Sequence, residues 1–179
     1  TLSLASGMGT PDARGYSIRP NFGPGTTPQG GASMALLSSG AAAAVGQANP
    51  AHVDFETSLM HNTSSAFPAD WLSANGGMLP NAPGCPEINA ASMAEDSVML
   101  TLRIRVPSNA KSFSFASNFF SAEFPEWVCS PYNDFFVALL SSTWAGTPAN
   151  PTDKNLAFYR QPTTMNVYPV GVNLGFGNT

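Results

Sequence analysis

An all-β fold, a β-sandwich of jelly-roll type with long irregular loops and little helix, is what this sequence predicts, on three observations. Several short segments alternate apolar and polar residues with the period of two that a half-buried strand requires. No stretch of any length carries the period of an amphipathic helix. Gly and Pro, 16 of each, punctuate the chain at turn spacing.

The elements follow in order. Residues 1–31 are too rich in Gly and Pro for any long regular element and hold at most short strands such as 16–19. Segment 33–39 is the first strand, and the alanine run 41–45 after Gly40 reads as a helical turn, Ala having the best helix propensity. Between 49 and 86 the chain is mainly irregular, with a strand at 52–55 and a short helix from Ala69. A turn or helix at 88–96 leads into the clearest strand, 98–106. There Val98, Leu100, Leu102, Ile104 and Val106 share one face, expected to be core, and Met99, Thr101, Arg103 and Arg105 share the other, expected to be wet. After Pro107-Ser108-Asn109, segment 111–120 alternates Phe113 and Phe115 with Ser112 and Ser114 and pairs with 98–106 or crosses to a second sheet. Segment 135–140 is apolar on both faces, as in a strand enclosed by core, and 156–159 and 165–170 read as the final strands.

A chain of 179 residues holds one domain with a substantial core and is too short for two comfortable ones, so a single domain 1–179 is expected. Charged residues make up only 10% of it, so its surface is built largely from Ser, Thr, Asn and backbone, as in loop-rich extracellular β proteins. The 43% hydrophobic content is too high for a disordered chain. A net charge of −4 with seven Lys and Arg and no basic cluster sets nucleic-acid partners aside. The longest apolar run, 32–45, is interrupted by Ser33, Ser38, Ser39 and Gly40 and is too short to span a bilayer, so membrane insertion is not expected. The chain starts at Thr1 without Met, which is compatible with removal of an export signal.

The organising stretch is 117–140, where aromatics, two closely spaced carboxylates and a cysteine converge. Pro125 and Pro131 exclude a helix from its middle, leaving an acidic loop between two strands. Glu123, Glu126, Asn133 and Asp134 offer the oxygen ligands that a hard cation such as Ca²⁺ collects from an irregular loop. The same groups equally serve to cap strand ends and satisfy buried backbone donors. A third reading makes Glu123 and Glu126 the acid and base of a carbohydrate-active hydrolase, although residues three apart in one loop rarely face each other across a sugar. His52, His61, Cys85 and Cys129 lack the spacing of a structural zinc site, and no Gly-x-Ser-x-Gly elbow is present, so no catalytic residue is assigned. Most of the loop's aromatics (Phe119, Phe120, Phe124, Phe135 and Phe136) read as core, whereas Trp127 and Tyr132 are the two expected as an exposed ligand-contact surface. Cys85 and Cys129 are either a disulfide or two free thiols, the even number in an extracellular-looking chain favouring the bridge. Asn62-Thr63-Ser64 is formally a glycosylation sequon.

The run Ser-Ala-Glu-Phe-Pro-Glu-Trp-Val-Cys-Ser-Pro-Tyr-Asn-Asp-Phe-Phe at 121–136 resembles the signature of the choice-of-anchor L family of secreted bacterial surface domains, which reads roughly Ser-Glu-Glu-Tyr-Pro-Glu-Phe-Val followed by Asn-Asp-x-Phe. Met34-Ala35-Leu36-Leu37-Ser38-Ser39-Gly40 is similar to an early Gly-Ile-x-Leu-Ser-Ser-Gly segment of that family, 90–106 to its Asp-Ala-Ala and following strand, and Asn155-Leu156-Ala157-Phe158 to its Asn-Ile-Ala-x. Ala122 departs from the first of the paired glutamates. The resemblance implies a secreted or cell-surface module of structural or adhesive role, assembling with surface or matrix proteins or with glycans, and makes a bacterial sequon uninformative. It also implies that such domains continue with further strands, so 1–179 is expected to lack its C-terminal strands and to receive them from a partner, either the cleaved remainder of its own precursor or a neighbouring subunit.

Overall fold

In a computed structural model the chain is described at residues 1–54, 63–79, 81–82, 85–86, 93–163, 165 and 167–175. Its regular structure is chiefly β. In chain order the elements are β1 Leu2–Ser3, β2 Tyr16–Arg19, β3 Met34–Leu37, β4 Ser64–Ser65, α1 Ala69–Ala74, β5 Ala94–Glu95, β6 Met99–Leu100, β7 Phe135–Phe136, β8 Phe158–Arg160, β9 Val167–Gly171 and α2 Val172–Gly175. All the strand pairs are antiparallel. The expected strands at 16–19, 33–39, 156–159 and 165–170, and the helix from Ala69, are present to within a few residues. Contacts group the chain into two units, Thr1–Ala66 with Met93–Asn118, and Phe67–Ser92 with Phe119–Thr179.

In the first unit β1 pairs with β6, β2 with β3, and β4 with β5. The β2–β3 ladder is held from below by Arg19, only 8% exposed. Its Nε donates to Ser17 Oγ and Ala42 O, its Nη1 to Ala48 O at 3.0 Å and its Nη2 to Pro50 O at 2.7 Å. A guanidinium satisfies several diverging carbonyls at once, which is why a cation is tolerated there and why 42–50 follows a fixed path without regular structure. Gly15 is needed for close approach: a Cβ there would lie 2.9 Å from Val98 Cγ2 and 3.0 Å from Ser38 O.

Several expectations are corrected in this unit. The alanine run 41–45 forms no helix; Ala42 and Ala43 are buried, and the Ala42 amide donates to Arg14 O instead of along a helix. Helix propensity is a weak prior that one long-range contact overrides. Residues 52–54 are not a strand, and Phe55 lies outside the described residues, as do His61, Asn62 and 88–92. The expected turn or helix at 88–96 ends as strand β5. Of the strand expected at 98–106, only Met99 and Leu100 enter a ladder; beyond Thr101, which exchanges bonds with Thr1, the segment pairs with nothing described, and Leu102, Ile104 and Val106 are exposed rather than core. Segment 111–120 likewise joins no ladder, and Phe113 and Phe115 are exposed. Alternation encodes a strand's two faces but not its neighbour, and a ladder requires both.

The second unit is built on a three-stranded sheet in the order β7-β9-β8. Its core is aromatic: Trp71, 1% exposed on α1, packs 5.7 Å from the Phe135 ring, which stacks on Phe67 at 6.0 Å. A second cluster joins Ala82, Tyr168 and Cys85. The apolar run 135–140 is shorter as a strand than expected, because after β7 the chain is tied by a side chain. Asn155 Oδ1 accepts from the amides of Ala138 and Ala157, and Leu139 makes only an isolated bridge to Asn155. Gly171 lets β9 close on β7, since a Cβ there would lie 2.9 Å from Phe135 Cβ and 3.0 Å from Asp134 O.

Candidate functional site

Loop 121–134 has no helix, as its prolines require, and the Phe124–Pro125 peptide is cis. Its shape comes from short-range bonds. Ser121 Oγ accepts from the Glu123 amide, Glu123 O accepts from the Trp127 amide at 3.0 Å, and Trp127 O accepts from the Ser130 amide. Ser130 Oγ then accepts from the Tyr132 amide and donates to Tyr132 O.

Two long-range ties fix the loop. Cys85 and Cys129 form a disulfide, with Cα atoms 4.8 Å apart and a sequence separation of 44, so the bridge alternative holds and free thiols do not. The second tie is Asn173, fully buried in α2. Its Oδ1 accepts from the Cys129 amide at 2.8 Å, its own amide donates to Asn133 Oδ1 at 3.0 Å, and its Nδ2 donates to Asn81 Oδ1 at 3.1 Å. Next to it the Val172 amide donates to Asp134 O. Cys129 sits at φ 60°, a left-handed conformation that the bridge and the Asn173 bond hold in place.

The carboxylates divide unequally. Glu123 is half-buried, and its Oε2 is shielded from water without a hydrogen-bond partner among the described residues. Desolvation, reinforced by the negative charge of Asp134, pushes the Glu123 carboxyl up to about 7. Asp134 and Glu126 are exposed. Of the four oxygen-bearing residues picked out in the sequence, Glu123 and Asp134 are therefore electrostatic neighbours, and Asn133 is joined to Asn173. Among the described residues no three His, Cys, Asp or Glu side chains converge as a metal-binding group. Glu123 and Asp134 are carboxylates of the type a hard cation takes, and Asn133 offers an amide oxygen that already accepts from the Asn173 amide. The zinc grouping fails chemically, because both sulfurs are in the disulfide, and His52 spends Nδ1 on Ala43 O and Nε2 on Asp54.

Trp127 and Tyr132 meet edge to face with centroids 5.8 Å apart, and are 41% and 65% exposed. Phe120 and Phe124, expected as core, are also exposed, whereas Phe119, Phe135 and Phe136 are half-buried. Phe124, Trp127 and Tyr132, the three rings within loop 121–134, all remain exposed. Asn173 and Asn81 had no signal in the sequence: each is one Asn in a loop-rich chain, distinguished only by what the fold brings to it.

Among the described residues no helix is long and apolar enough to cross a membrane. No family model, no curated protein and no solved structure matches this chain.

Proposed function

We propose that this chain is a secreted or cell-surface β-sandwich module of the choice-of-anchor L type. It contributes to surface or extracellular-matrix assembly by binding protein or glycan partners, and it is not an enzyme. The observation that carries the reading is the exposed Trp127–Tyr132 pair on a loop tethered by a disulfide and by Asn173. Rigid, amphipathic rings offer contact area at little entropic cost, and a loop fixed before binding loses little freedom on binding. The disulfide is of the kind that persists in oxidising, extracellular compartments. In this reading Glu123, Asp134 and Asn133 take up Ca²⁺, which removes the cost of two neighbouring carboxylates, one of them desolvated.

The rival reading, a carbohydrate-active hydrolase, draws on one observation: Glu123 is raised toward neutrality beside an ionised carboxylate, as a general acid would be. Its partner would then be Asp134 and not Glu126. A glycan array and a glycosidase assay on the same preparation separate the two. The binding module gives retention without turnover; turnover abolished by Glu123→Gln or Glu126→Gln would overturn it.

A further inference from the structure

The first unit carries a surface that the loop reading does not use. From Leu102 to Asn118 the backbone enters no ladder with any described residue, and the Ala110 amide donates to Pro107 O in the turn. Leu102, Ile104 and Val106 are 63–68% exposed and Phe113 and Phe115 just over half exposed, so two alternating segments present apolar side chains and unpaired backbone together. Beside them a groove of about 560 Å³ separates Ser114 and Phe115 from Ser33 and Met34, at the start of β3, which pairs on one side only.

Charge identifies what fits there. Four of the seven cationic side chains are engaged: Arg14 with Asp12, Arg19 with buried carbonyls, Lys154 with Asp70, and Arg160 over the Phe158 ring. The other three, Arg103, Arg105 and Lys111, all lie on this stretch, and each is exposed with no hydrogen bond or ion pair among the described residues. No Asp or Glu occurs between Thr101 and Phe120 to neutralise them. In a chain of net charge −4, the cationic side chains without a partner among the described residues thus fall together on a segment that also enters no ladder there.

We propose that 102–118 is a β-addition site for an extended segment of a second protein that alternates apolar residues with Asp or Glu. The added strand takes up the free backbone groups, its carboxylates meet Arg103, Arg105 and Lys111, and its apolar residues cover Leu102, Ile104 and Val106. Exposed edges of this kind pair readily with another chain unless charge or a cover prevents it, and an unneutralised row of cations selects an acidic strand over a like-charged one. The site lies in a different unit from loop 121–134 and holds whether or not that loop binds a partner.

The test uses the full chain with two synthetic peptides, one alternating Val with Glu and one alternating Val with Lys. Fluorescence anisotropy and amide hydrogen exchange are read on the same samples. The Val–Glu peptide binds, more weakly as salt rises, and protects amides in 102–118. Arg103→Glu with Arg105→Glu weakens that peptide by about tenfold or more and makes the Val–Lys peptide the better ligand, a gain that misfolding cannot produce. Protection of 102–118, the turn amide of Ala110 apart, in the protein alone overturns the proposal, since the edge is then already occupied. So does self-association through this segment by light scattering, which makes the occupant a second copy. Absence of binding by the Val–Glu peptide, or binding indifferent to the charge reversal, overturns it as well.

Discussion

Asn173 Oδ1 accepts a hydrogen bond from the Cys129 amide at 2.8 Å, linking a helical turn after the last strand to the loop that carries the candidate site. The backbone amide of Asn173 donates to Asn133 Oδ1 and its Nδ2 to Asn81 Oδ1, so one residue ties the disulfide-bearing Cys129 to the residue beside Asp134 and to Asn81. Asn173→Ala leaves the Cys129 amide and Asn81 Oδ1 without this partner. A loss of about 2–4 kcal/mol is expected in denaturant unfolding, with Asn173→Asp also destabilising because it removes the donor to Asn81.

The Cys85–Cys129 bridge constrains the unfolded chain over a separation of 44 residues. Chain entropy puts its contribution at about 3–4 kcal/mol. Cys85→Ser with Cys129→Ser lowers the unfolding midpoint accordingly, and labelling of the unreduced, denatured native chain finds no free thiol.

Glu123 gives stability a pH dependence of definite sign. Its folded pKa, about 7, lies above its unfolded value near 4.5, so the folded state holds more protons between the two. Stability contributed by the neutral carboxyl is fully present below the unfolded value and is lost as pH rises through about 7. With the discount that solvent screening of a half-exposed group demands, the loss is about 1–2 kcal/mol. Glu123→Gln flattens the melting profile over that range, and Ca²⁺ raises the wild-type melting temperature near pH 8, an increase that chelator removes and that Glu123→Gln reduces. No response to Ca²⁺ or chelator would contradict the cation assignment.

Gly171→Ala forces β9 away from β7, because the new methyl meets backbone and Cβ atoms rather than the end of a flexible side chain. A destabilisation of about 1–3 kcal/mol is expected in chemical denaturation.

The sequence was most informative where one residue's chemistry decides its own conformation. Pro125 and Pro131 announce the loop, Tyr16–Arg19 and Met34–Leu37 appear as strands because short alternating runs between turn residues have few other options, and Trp127 and Tyr132 are exposed as the loop geometry demands. It was silent where a partner decides. The run from Leu102 to Val106 has a strand's alternation and no described neighbour, Ala42 and Ala43 are placed by Arg14 and Arg19 rather than by helix propensity, and Asn173 gains its role only when α2 meets Cys129. Glu123 was visible as a carboxylate, but its desolvation and its pairing with Asp134 instead of Glu126 depend on the path of the loop.

The most direct measurement compares wild-type protein with the Trp127→Ala, Tyr132→Ala double variant on one array of immobilised glycans and extracellular-matrix components. Both residues are exposed, so the substitutions should leave the melting temperature nearly unchanged. The contact-surface account predicts that wild type is retained without consuming the immobilised material and that the double variant binds at least about tenfold more weakly. Equal retention of the two proteins would contradict it.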